Sequence, residues 1–397
     1  MSTIPRFLPR LRPLPPPRTA TTSFLLTTMS SRNLTTTSPS QACKSTSSSP
    51  TSSSSTIPKT SIPIFRTLPS LRHWRRTQRD LHRTIGLVPT MGALHSGHLS
   101  LIRQAASETS AVVVSIYVNP AQFGVNEDLA SYPKTWDSDC ALLRDLDREL
   151  AEDGGNLGSV AAVFAPTDRT MYPSGFPGQE VDAKGSFVTI TPAGEKLEGV
   201  QRPTFFRGVA TVCMKLFNIV TPEKVYFGQK DVQQTVVIRK MVKDFCMDTE
   251  VRVGPTVRES DGLAMSSRNV YLGTRRRARA TVLSSALKIA EARYKSGARS
   301  RGDIMGPAES YVQSIQEAEE AKPPSQRVRF EIGYLSLADP ETLEELETVE
   351  EGRGAVLSGA FKMLEVEEAG EGEDRGLSGG PAVRLIDNII LEAVEEK

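Results

Sequence analysis

The feature that most limits the fold of this 397-residue chain is the nearly unbroken apolar run from Ala111 to Val118, AVVVSIYV. A short run rich in Val and Ile predicts a strand that is buried on both faces, as in a parallel sheet covered by helices. Around it, strands are predicted at Ile85–Val88, Val163–Pro166, Lys224–Phe227 and Val251–Val257, and helices at Gly97–Ala106 and Val232–Phe245. This alternation predicts an α/β fold, a Rossmann-like parallel sheet with helices on both faces.

The pattern of elements changes after about Asp261. Thr274 is the predicted N-cap of a long basic helix that ends at Gly297. A helix at Asp303–Ala321 and strands at Val328–Leu335, Ala355–Val366 and Val383–Leu391 are predicted to follow. We therefore predict two domains, a Rossmann-like one over residues 62–260 and a smaller C-terminal α+β domain over residues 261–397. Two insertions are predicted to be surface loops, Glu152–Ser159 and the Gly/Glu-rich linker Glu367–Gly380.

Residues 1–61 have the composition of a disordered leader. The segment is rich in Ser, Thr, Pro and Arg, and no Asp or Glu occurs before Asp80. Such a segment buries too little apolar surface to offset the entropy of ordering. Its composition is also typical of a mitochondrial transit peptide, and an unprocessed tail is the alternative. We therefore expect either a mitochondrial or a cytoplasmic protein.

The bulk composition argues against several classes of protein. The formal net charge is +1, so we expect no nucleic-acid partner. The sequence has no run of about eighteen apolar residues, so we expect no membrane-spanning helix. The four cysteines do not occur at CxxC spacing, which predicts neither a zinc site nor a disulfide framework. All of them except Cys43 are expected to be buried.

The segment Pro89–His98, PTMGALHSGH, joins a predicted strand to a predicted helix. A helix start offers unpaired backbone N–H groups and a partial positive charge, and Gly92 and Gly97 let a ligand approach the backbone. His95 and His98 would lie at this helix end and could donate to phosphate oxygens. The HxGH spacing therefore predicts a nucleotide site in the first domain, and a polar loop with two incidental histidines is the alternative. The chain has no GxxxxGK[ST] loop, which disfavours a P-loop enzyme.

Two further polar clusters directly follow predicted strands. YVNPAQF contains Asn119 and Gln122, whose neutral amides suit a polyhydroxy carboxylate. GQKDVQQ contains Lys230, a point charge for phosphate, Asp231, an acceptor for ribose hydroxyls, and Gln234, which could face the ligand. A strand-end turn and a solvated helix start are the ordinary alternatives. Since ligands of open α/β sheets bind at the carboxyl ends of the strands, we predict that these clusters meet at one site.

The fourth cluster, VRESDGLAMSSRN, lies at the boundary between the two predicted domains. Its residues Ser266, Ser267 and Arg268 would form a cation-bearing loop for a triphosphate, where domain closure could exclude water. A capped helix start with a surface arginine is the alternative.

Together the four clusters resemble the pantothenate synthetases, within the HxGH-type nucleotidyltransferases and ligases. The likeness covers the chain from about residue 62 to its end and includes the blocks EGVQRP, GVATVCMKLFN, GPTVRESDGLAMSSRN and VRLIDN. It implies an enzyme that condenses pantoate with β-alanine to pantothenate, using ATP and forming a pantoyl-adenylate, with release of AMP and pyrophosphate. It also implies Mg²⁺ bound with ATP, a homodimer and no partner other than the small-molecule substrates.

The resemblance assigns roles to residues of this chain. His98 would be the catalytic proton donor and His95 its partner at the phosphates, with Lys230 and Arg268 offsetting charge. Pantoate and β-alanine would contact Gln122, Gln234 and Asn119, and no residue is assigned as a direct metal ligand. ATP would be bound by Met91, Gly92, Ala93, Leu94, His95, Ser96, Gly97, His98, Gly228, Gln229, Lys230, Asp231, Val257, Met265, Ser266, Ser267 and Arg268.

One position departs from the family pattern. The family commonly has RPGHF where this chain has Arg202-Pro203-Thr204-Phe205-Phe206, so Phe205 replaces a histidine and cannot donate a hydrogen bond. Three alternatives to a pantothenate synthetase stay open at this point. They are a cytidylyltransferase that uses CTP, a fragment of an aminoacyl-tRNA synthetase, and a non-catalytic relative with a binding or regulatory role.

Overall fold

The computed structural model describes residues 55–125 and 127–393. The predicted leader lies outside the described residues as far as residue 54. Its last residues are packed, because Ser55 and Thr56 pair with Ile64 and Pro63 in the large sheet. Ile57 is fully buried in the same core as Ile62 and Ile64. The folded region therefore begins before the predicted boundary at residue 61. The isoleucines bury apolar surface there, which the Ser-rich composition of the neighbouring sequence does not predict.

The larger sheet of the described region has seven strands, in the order β1-β2-β5-β4-β3-β6-β7. They are β1 (Ser55–Thr56), β2 (Pro63–Phe65), β3 (Ile85–Thr90), β4 (Ala111–Ile116), β5 (Ser159–Phe164), β6 (Lys224–Gly228) and β7 (Glu250–Gly254). β1 is antiparallel to β2, and the other neighbours are parallel. The direction of winding reverses between β3 and β6, which makes this the edge where a doubly wound sheet binds its ligand. The predicted Rossmann-like architecture is confirmed.

Helices cover both faces of this sheet. They are α1 (Leu68–Asp80), α2 (Ser96–Glu108), α3 (Trp136–Asp153), α4 (Asp168–Met171), α5 (Glu198–Gln201), α6 (Phe205–Val220) and α7 (Val232–Asp244). Val113 of β4 packs into the core beneath α6 and α7, whereas Val112 and Val114 pack into the core beneath α2 and α3. Side chains of a strand alternate between its faces, so a strand covered on both sides is apolar at every position. This is the physical origin of the AVVVSIYV run.

The C-terminal region has a hydrophobic core of its own. Its elements are α8 (Gly273–Arg277), α9 (Val282–Lys295), α10 (Arg301–Glu320), β8 (Phe330–Ala338), β9 (Ala355–Met363) and β10 (Val383–Leu391). The three strands form an antiparallel sheet in the order β10-β9-β8. This is the smaller α+β unit that the sequence predicts. No helix among the described residues is long and apolar enough to cross a membrane.

The predicted long helix from Thr274 to Gly297 is wrong, because two helices occupy this segment. Thr274 does not cap a helix; its Oγ1 and its backbone N–H both donate to Asp374 of the second insertion. The guanidinium of Arg276 is buried and donates to the backbone carbonyl of Tyr271, just before α8, and to that of Arg375 in the insertion. These contacts hold α8 as a separate short helix, and they tie the 367–380 insertion to the domain, so it is not a free linker.

Two smaller expectations also need correction. The first insertion is shorter than predicted, because α3 extends to Asp153 and ends at Gly154 in the left-handed conformation. Among the described cysteines Cys140 and Cys213 are buried as expected, whereas Cys246 is exposed. Cys246 lies in the turn after α7 and has a φ of 51°, a conformation found mainly in surface turns.

Candidate functional site

The four predicted clusters line one cavity of about 220 Å³ at the carboxyl ends of β3, β4 and β6. Among the predicted site residues, the cavity is lined by Met91, His95, Gly97, His98, Asn119, Gln122, Gly228, Lys230, Asp231, Gln234, Val257, Met265, Ser266, Ser267 and Arg268. Segments as distant along the chain as residues 91 and 268 therefore converge where the sheet reverses its winding.

The loop between β3 and α2 is shaped by a carboxylate that the sequence analysis did not identify. Asp139 of α3 is 1% exposed, and its oxygens accept from the backbone N–H groups of Ala93 at 3.1 Å and Leu94 at 2.8 Å. Gly92 has a φ of 83°, and a Cβ there would lie 3.1 Å from the same carboxylate. The loop geometry therefore depends on the backbone of Gly92, Ala93 and Leu94. These three residues are predicted to bind ATP, but they do not line the cavity.

The two histidines form the N-terminal cap of α2. His95 Nδ1 accepts from the N–H of Gly97 at 3.2 Å, and the N–H of His95 donates to His98 Nδ1 at 3.4 Å. With each Nδ1 accepting, the proton of each neutral ring lies on Nε2, which leaves an N–H donor on each ring. A Cβ on Gly97 would come within 2.9 Å of His95 Cε1, so only glycine lets the ring lie against the backbone.

Both imidazoles are held in the neutral form. Burial, and then the positive charge of Lys230, lower the pKa of His95 to about 4. Burial lowers the pKa of His98 to about 3, with further contributions from His95 and Lys230. The ring centroids are 4.1 Å apart, so two positive charges would repel strongly there. At neutral pH the pair can donate two hydrogen bonds but carries no charge of its own.

The side chain of Asn119 is fully used inside the protein. Its Oδ1 accepts from Tyr172 Oη at 2.6 Å and from the N–H of Ala121 at 3.4 Å. Its Nδ2 donates to Gln122 Oε1 at 3.1 Å and to the carbonyl of Gly208 at 3.2 Å. Asn119 lines the cavity, but its hydrogen-bonding groups are used within the protein, so it positions Gln122; its role as a substrate contact stays a prediction. Within the described part of the chain no partner is seen for Nε2 of Gln122, so this group can act as a donor.

The GQKD turn after β6 is held by the C-terminal domain. Asn388 of β10 donates from Nδ2 to the carbonyls of Gln229 and Lys230, each at 2.8 Å. Gln229 Nε2 donates to Asn388 Oδ1 at 3.3 Å, so this side chain is directed toward β10 and does not line the cavity. Lys230 Nζ lies 3.5 Å from Asp231 Oδ2. The ammonium group is thus the cationic part of this turn, with a single carboxylate partner close by.

Arg268 is held in place on the opposite wall of the cavity. Its guanidinium donates to both oxygens of Asp128, at 2.8 and 2.9 Å, and it lies over the rings of Phe123 and Tyr132. Burial acts to lower the pKa of Arg268, but the Asp128 carboxylate outweighs it and the pKa is raised. Burial likewise acts to raise the pKa of Asp128, but the hydrogen bonds and charge of Arg268 outweigh it and the pKa is lowered. Both groups are therefore charged at neutral pH.

The loop that carries Ser266 and Ser267 is anchored on both sides of the cavity. Ser267 Oγ donates to the carbonyl of Ala93 at 3.0 Å, and Ser96 Oγ contacts Met265 Sδ. Ser96 itself does not line the cavity. At the start of this loop Arg258 donates to both oxygens of Asp387, at 2.6 and 2.9 Å. Asp387 and its neighbour Asn388 thus connect β10 to two of the four clusters.

A larger cavity of about 620 Å³ adjoins the first one. The two share the residues Arg202, Phe205, Lys230, Asp231, Gln234, Ser266 and Arg268. Its far wall is formed by the C-terminal sheet, including Tyr334, Lys362 and Arg384. The combined space lies between the two domains and is large enough for a nucleotide together with a second small molecule.

The residues that sequence reasoning missed mostly act behind the cavity surface. Asp139 and Asp128 have no distinguishing motif, because an aspartate in an ordinary helix or loop is usually solvated. Asp387 and Asn388 do have a signal, since they lie in the VRLIDN block, but that block indicates the family without indicating a contact. Arg202 had a signal too, because it stands beside the one position that departs from the family pattern.

Comparison with known proteins identifies the family. A family model described as "Pantoate-beta-alanine ligase" matches residues 63–390. A "Pantothenate synthetase" from Roseiflexus castenholzii is 43% identical over 328 residues, which cover 83% of this chain and 100% of that protein. A "Pantoate--beta-alanine ligase" from Saccharomyces cerevisiae is 40% identical over 338 residues, covering 83% of this chain and 99% of the relative.

Solved structures agree with these sequence relatives. Pantothenate synthetase from Thermus thermophilus has a TM-score of 0.65 at 34% identity, covering 83% of this chain and 99% of that chain. Pantoate-beta-alanine ligase from Francisella tularensis, complexed with beta-gamma ATP and beta-alanine, has a TM-score of 0.54 at 28% identity, covering 82% of this chain and 97% of that chain. Since the family model matches most of the sequence and relatives at 40% identity or more are covered almost completely, the chain belongs to the pantoate–β-alanine ligase family.

Proposed function

We propose that this chain condenses pantoate with β-alanine in two steps, through a pantoyl-adenylate formed from ATP. The observation that carries the proposal is the convergence of four groups on one cavity: the neutral imidazoles of His95 and His98, the ammonium of Lys230 and the guanidinium of Arg268. The Francisella tularensis relative forms a complex with beta-gamma ATP and beta-alanine, which supports the same two substrates here. Membership of the family removes the cytidylyltransferase and tRNA-synthetase alternatives.

In the first step a pantoate carboxylate oxygen attacks the α-phosphorus of ATP. The bond from the α-phosphorus to the bridging oxygen breaks, and pyrophosphate leaves with that electron pair. Negative charge builds on the phosphoryl oxygens, where the Nε2–H groups of His95 and His98 can donate without reorganising. Lys230 and Arg268 supply the positive charge that the neutral imidazoles lack. In this proposal His98 acts as a hydrogen-bond donor through Nε2–H, since a pKa of about 3 keeps the ring neutral at neutral pH.

Pantoate lies beside the imidazoles in this proposal, held by the amides of Gln122 and Gln234. Gln122 is the better defined of the two, because Asn119 fixes its Oε1 and leaves Nε2 to donate to the substrate. In the second step the neutral amine of β-alanine attacks the acyl carbon of the adenylate. The amine loses a proton, the acyl–phosphate bond breaks and AMP leaves. A cavity between two domains protects such an anhydride from water.

Mg²⁺ is proposed to accompany the triphosphate. Within the part of the chain that the structure describes, no group of three or more His, Cys, Asp or Glu side chains is placed to hold a metal ion. An ion that arrives on the phosphates and keeps its waters needs no such group, and this is the usual mode for Mg²⁺ with nucleotides. When bound, it would neutralise charge on the leaving pyrophosphate. We also propose a homodimer, which sedimentation of the purified chain would test.

The proposal is tested by an omission experiment on the purified chain. AMP and pantothenate should form only when ATP, pantoate and β-alanine are all present, and EDTA should abolish both. Exchange of labelled pyrophosphate into ATP should require pantoate but not β-alanine, because the adenylate forms first. AMP release that ignores pantoate would overturn the assignment. Exchange that requires β-alanine would overturn the adenylate step, and a chain that binds the substrates without turnover would be a non-catalytic relative.

A further inference from the structure

The first turn of α6 packs directly against the turn that carries Gln122. A Cβ on Gly208 would lie 2.1 Å from the carbonyl oxygen of Ala121 and 2.6 Å from the backbone nitrogen of Gln122. Atoms cannot approach that closely, and the atoms in question are backbone, which cannot rotate away as a side-chain end can. Only glycine at this helical position therefore permits the observed contact between α6 and the substrate turn.

The same turn of α6 also fixes the amide of Gln122. The Gly208 carbonyl accepts from Asn119 Nδ2 at 3.2 Å, and the other hydrogen of that group goes to Gln122 Oε1 at 3.1 Å. Asn119 is 1% exposed and has no free position left for another partner. The orientation of the Gln122 amide is thus set by one chain of contacts that begins at the Gly208 backbone.

A second support for Gln122 runs through Arg202 and Phe205. The Arg202 guanidinium lies over the Phe205 ring, with 3.9 Å from its carbon to the ring centroid. In this position its Nη2 donates to the carbonyl of Gln122 at 3.3 Å, and its Nε donates to Glu127 at 2.8 Å. The Phe205 ring therefore covers one face of the guanidinium, while the N–H groups at its edge donate to Gln122 and Glu127. An aromatic face can support an arginine in this way without donating any hydrogen bond.

We propose that the first turn of α6, from Phe205 to Gly208, is a positioning element for pantoate that acts through Gln122. Gly208 permits the close approach of the substrate turn, and Phe205 supports Arg202 by stacking. The inference rests on the proposed role of Gln122 as a pantoate contact. Neither residue touches the reacting atoms in this scheme, so both are positioning residues.

The first test is Gly208→Ala, with Gly302→Ala as the matched control. Gly302 lies in α10, and a Cβ there meets nothing within 4 Å. In Gly208→Ala we expect the KM for pantoate to rise about tenfold or more, since displacement by about an ångström is enough for such losses. The KM for ATP should change less than about twofold, and Gly302→Ala should match the wild type in both constants. A folded Gly208→Ala protein with a normal KM for pantoate would overturn the inference.

Phe205 supplies a second test that does not depend on Gly208→Ala folding. Phe205→Leu keeps an apolar side chain but removes the ring, and we expect about a threefold higher KM for pantoate, as loss of one cation–π contact implies. Phe205→Tyr keeps the ring and should restore the wild-type value. Equal KM values for pantoate in the Leu and Tyr variants would refute the stacking role. A wild-type chain without pantoate-dependent exchange would instead refute the proposed function.

Discussion

Replacing His98 with alanine separates its chemical role from its structural one. His98 Nδ1 accepts one hydrogen bond, from the N–H of His95 at 3.4 Å, so the substitution removes one capping contact of α2. Loss of a cap costs about 1 kcal/mol, a small part of the roughly 5–15 kcal/mol that stabilises a typical domain. Loss of one preorganised donor at a transition state costs about 3–4 kcal/mol, or two to three decades in rate. The variant should therefore stay folded and be nearly inactive.

The assay for this prediction is pantoate-dependent exchange of pyrophosphate into ATP, with urea unfolding measured in parallel. His73→Ala is the matched control, because His73 is exposed on α1 and lies outside the residues that line the cavity. His98→Gln, which restores a side-chain N–H donor, should recover part of the lost rate. If His98→Ala retained exchange near the wild-type rate, the donor role of His98 would be refuted. If it lost several kcal/mol of stability, the ring would be chiefly a structural element.

The same histidine makes a prediction about pH. The pKa of His98 falls from 6.5 to about 3 on folding and that of His95 to about 4, because burial disfavours the charged rings. A pKa that is depressed in the folded state stabilises the fold above pH 6.5, and this contribution is lost as the pH falls from 6.5 toward about 4 for His95 and about 3 for His98. The wild type should therefore lose stability over that window, and His98→Ala should lose less. An acid limb with a midpoint near 6.5 in kcat/KM that disappears in His98→Ala would contradict the neutral assignment.

Three further predictions concern the supports of the site and the leader. Asp387→Ala removes the bidentate partner of Arg258, which should lower the free energy of unfolding in urea by about 3 kcal/mol. The same substitution should raise the KM for ATP. An unchanged KM for ATP would show that the pair is remote from the nucleotide. Arg276→Met leaves several carbonyls around α8 and the 367–380 insertion without their donor, which should lower the free energy of unfolding by about 3 kcal/mol. Sensitivity to protease should rise first within the insertion. A fluorescent protein fused to residues 1–61 should be imported into mitochondria, and a cytosolic signal would refute the targeting hypothesis.

The sheet was predictable because its strands obey simple physical rules. β4 is covered on both faces, so its side chains are apolar except for the buried Ser115, and the run stands out in any window. β3 was expected to end at Val88, yet the strand continues to Thr90. The position of the site followed as well, since parallel strands bring their carboxyl ends to one edge. Connecting four sequence clusters to one cavity needed no coordinates.

Other elements were not predictable from local pattern. α1 is an arginine-rich helix that follows a Ser-rich leader, and its packed face combines the apolar Leu68, Leu71 and Trp74 with the buried polar residues Arg75 and Gln78. Asp139 looks like any surface aspartate of an amphipathic helix, although it is buried beneath the loop between β3 and α2, which it shapes. Thr274 has the identity of an N-cap but is used by an insertion a hundred residues away. In each case the residue that determines the local structure is distant along the chain, so the local composition does not reveal it.

The contacts of β10 show why the smaller domain belongs to the site. Asn388 holds the backbone of Gln229 and Lys230, and its neighbour Asp387 holds Arg258 at the start of the loop that carries Arg268. Those two loops carry Lys230 and Arg268, two of the positively charged residues that line the cavity, whereas the histidines supply uncharged donors. The Rossmann-like domain therefore positions the imidazoles and holds Arg268 through Asp128, while β10 holds the backbone of the turn that carries Lys230 and the start of the loop that carries Arg268. A rotation between the domains would break the hydrogen bonds of Asp387 and Asn388, so these two adjacent residues couple the smaller domain to both cation-bearing loops.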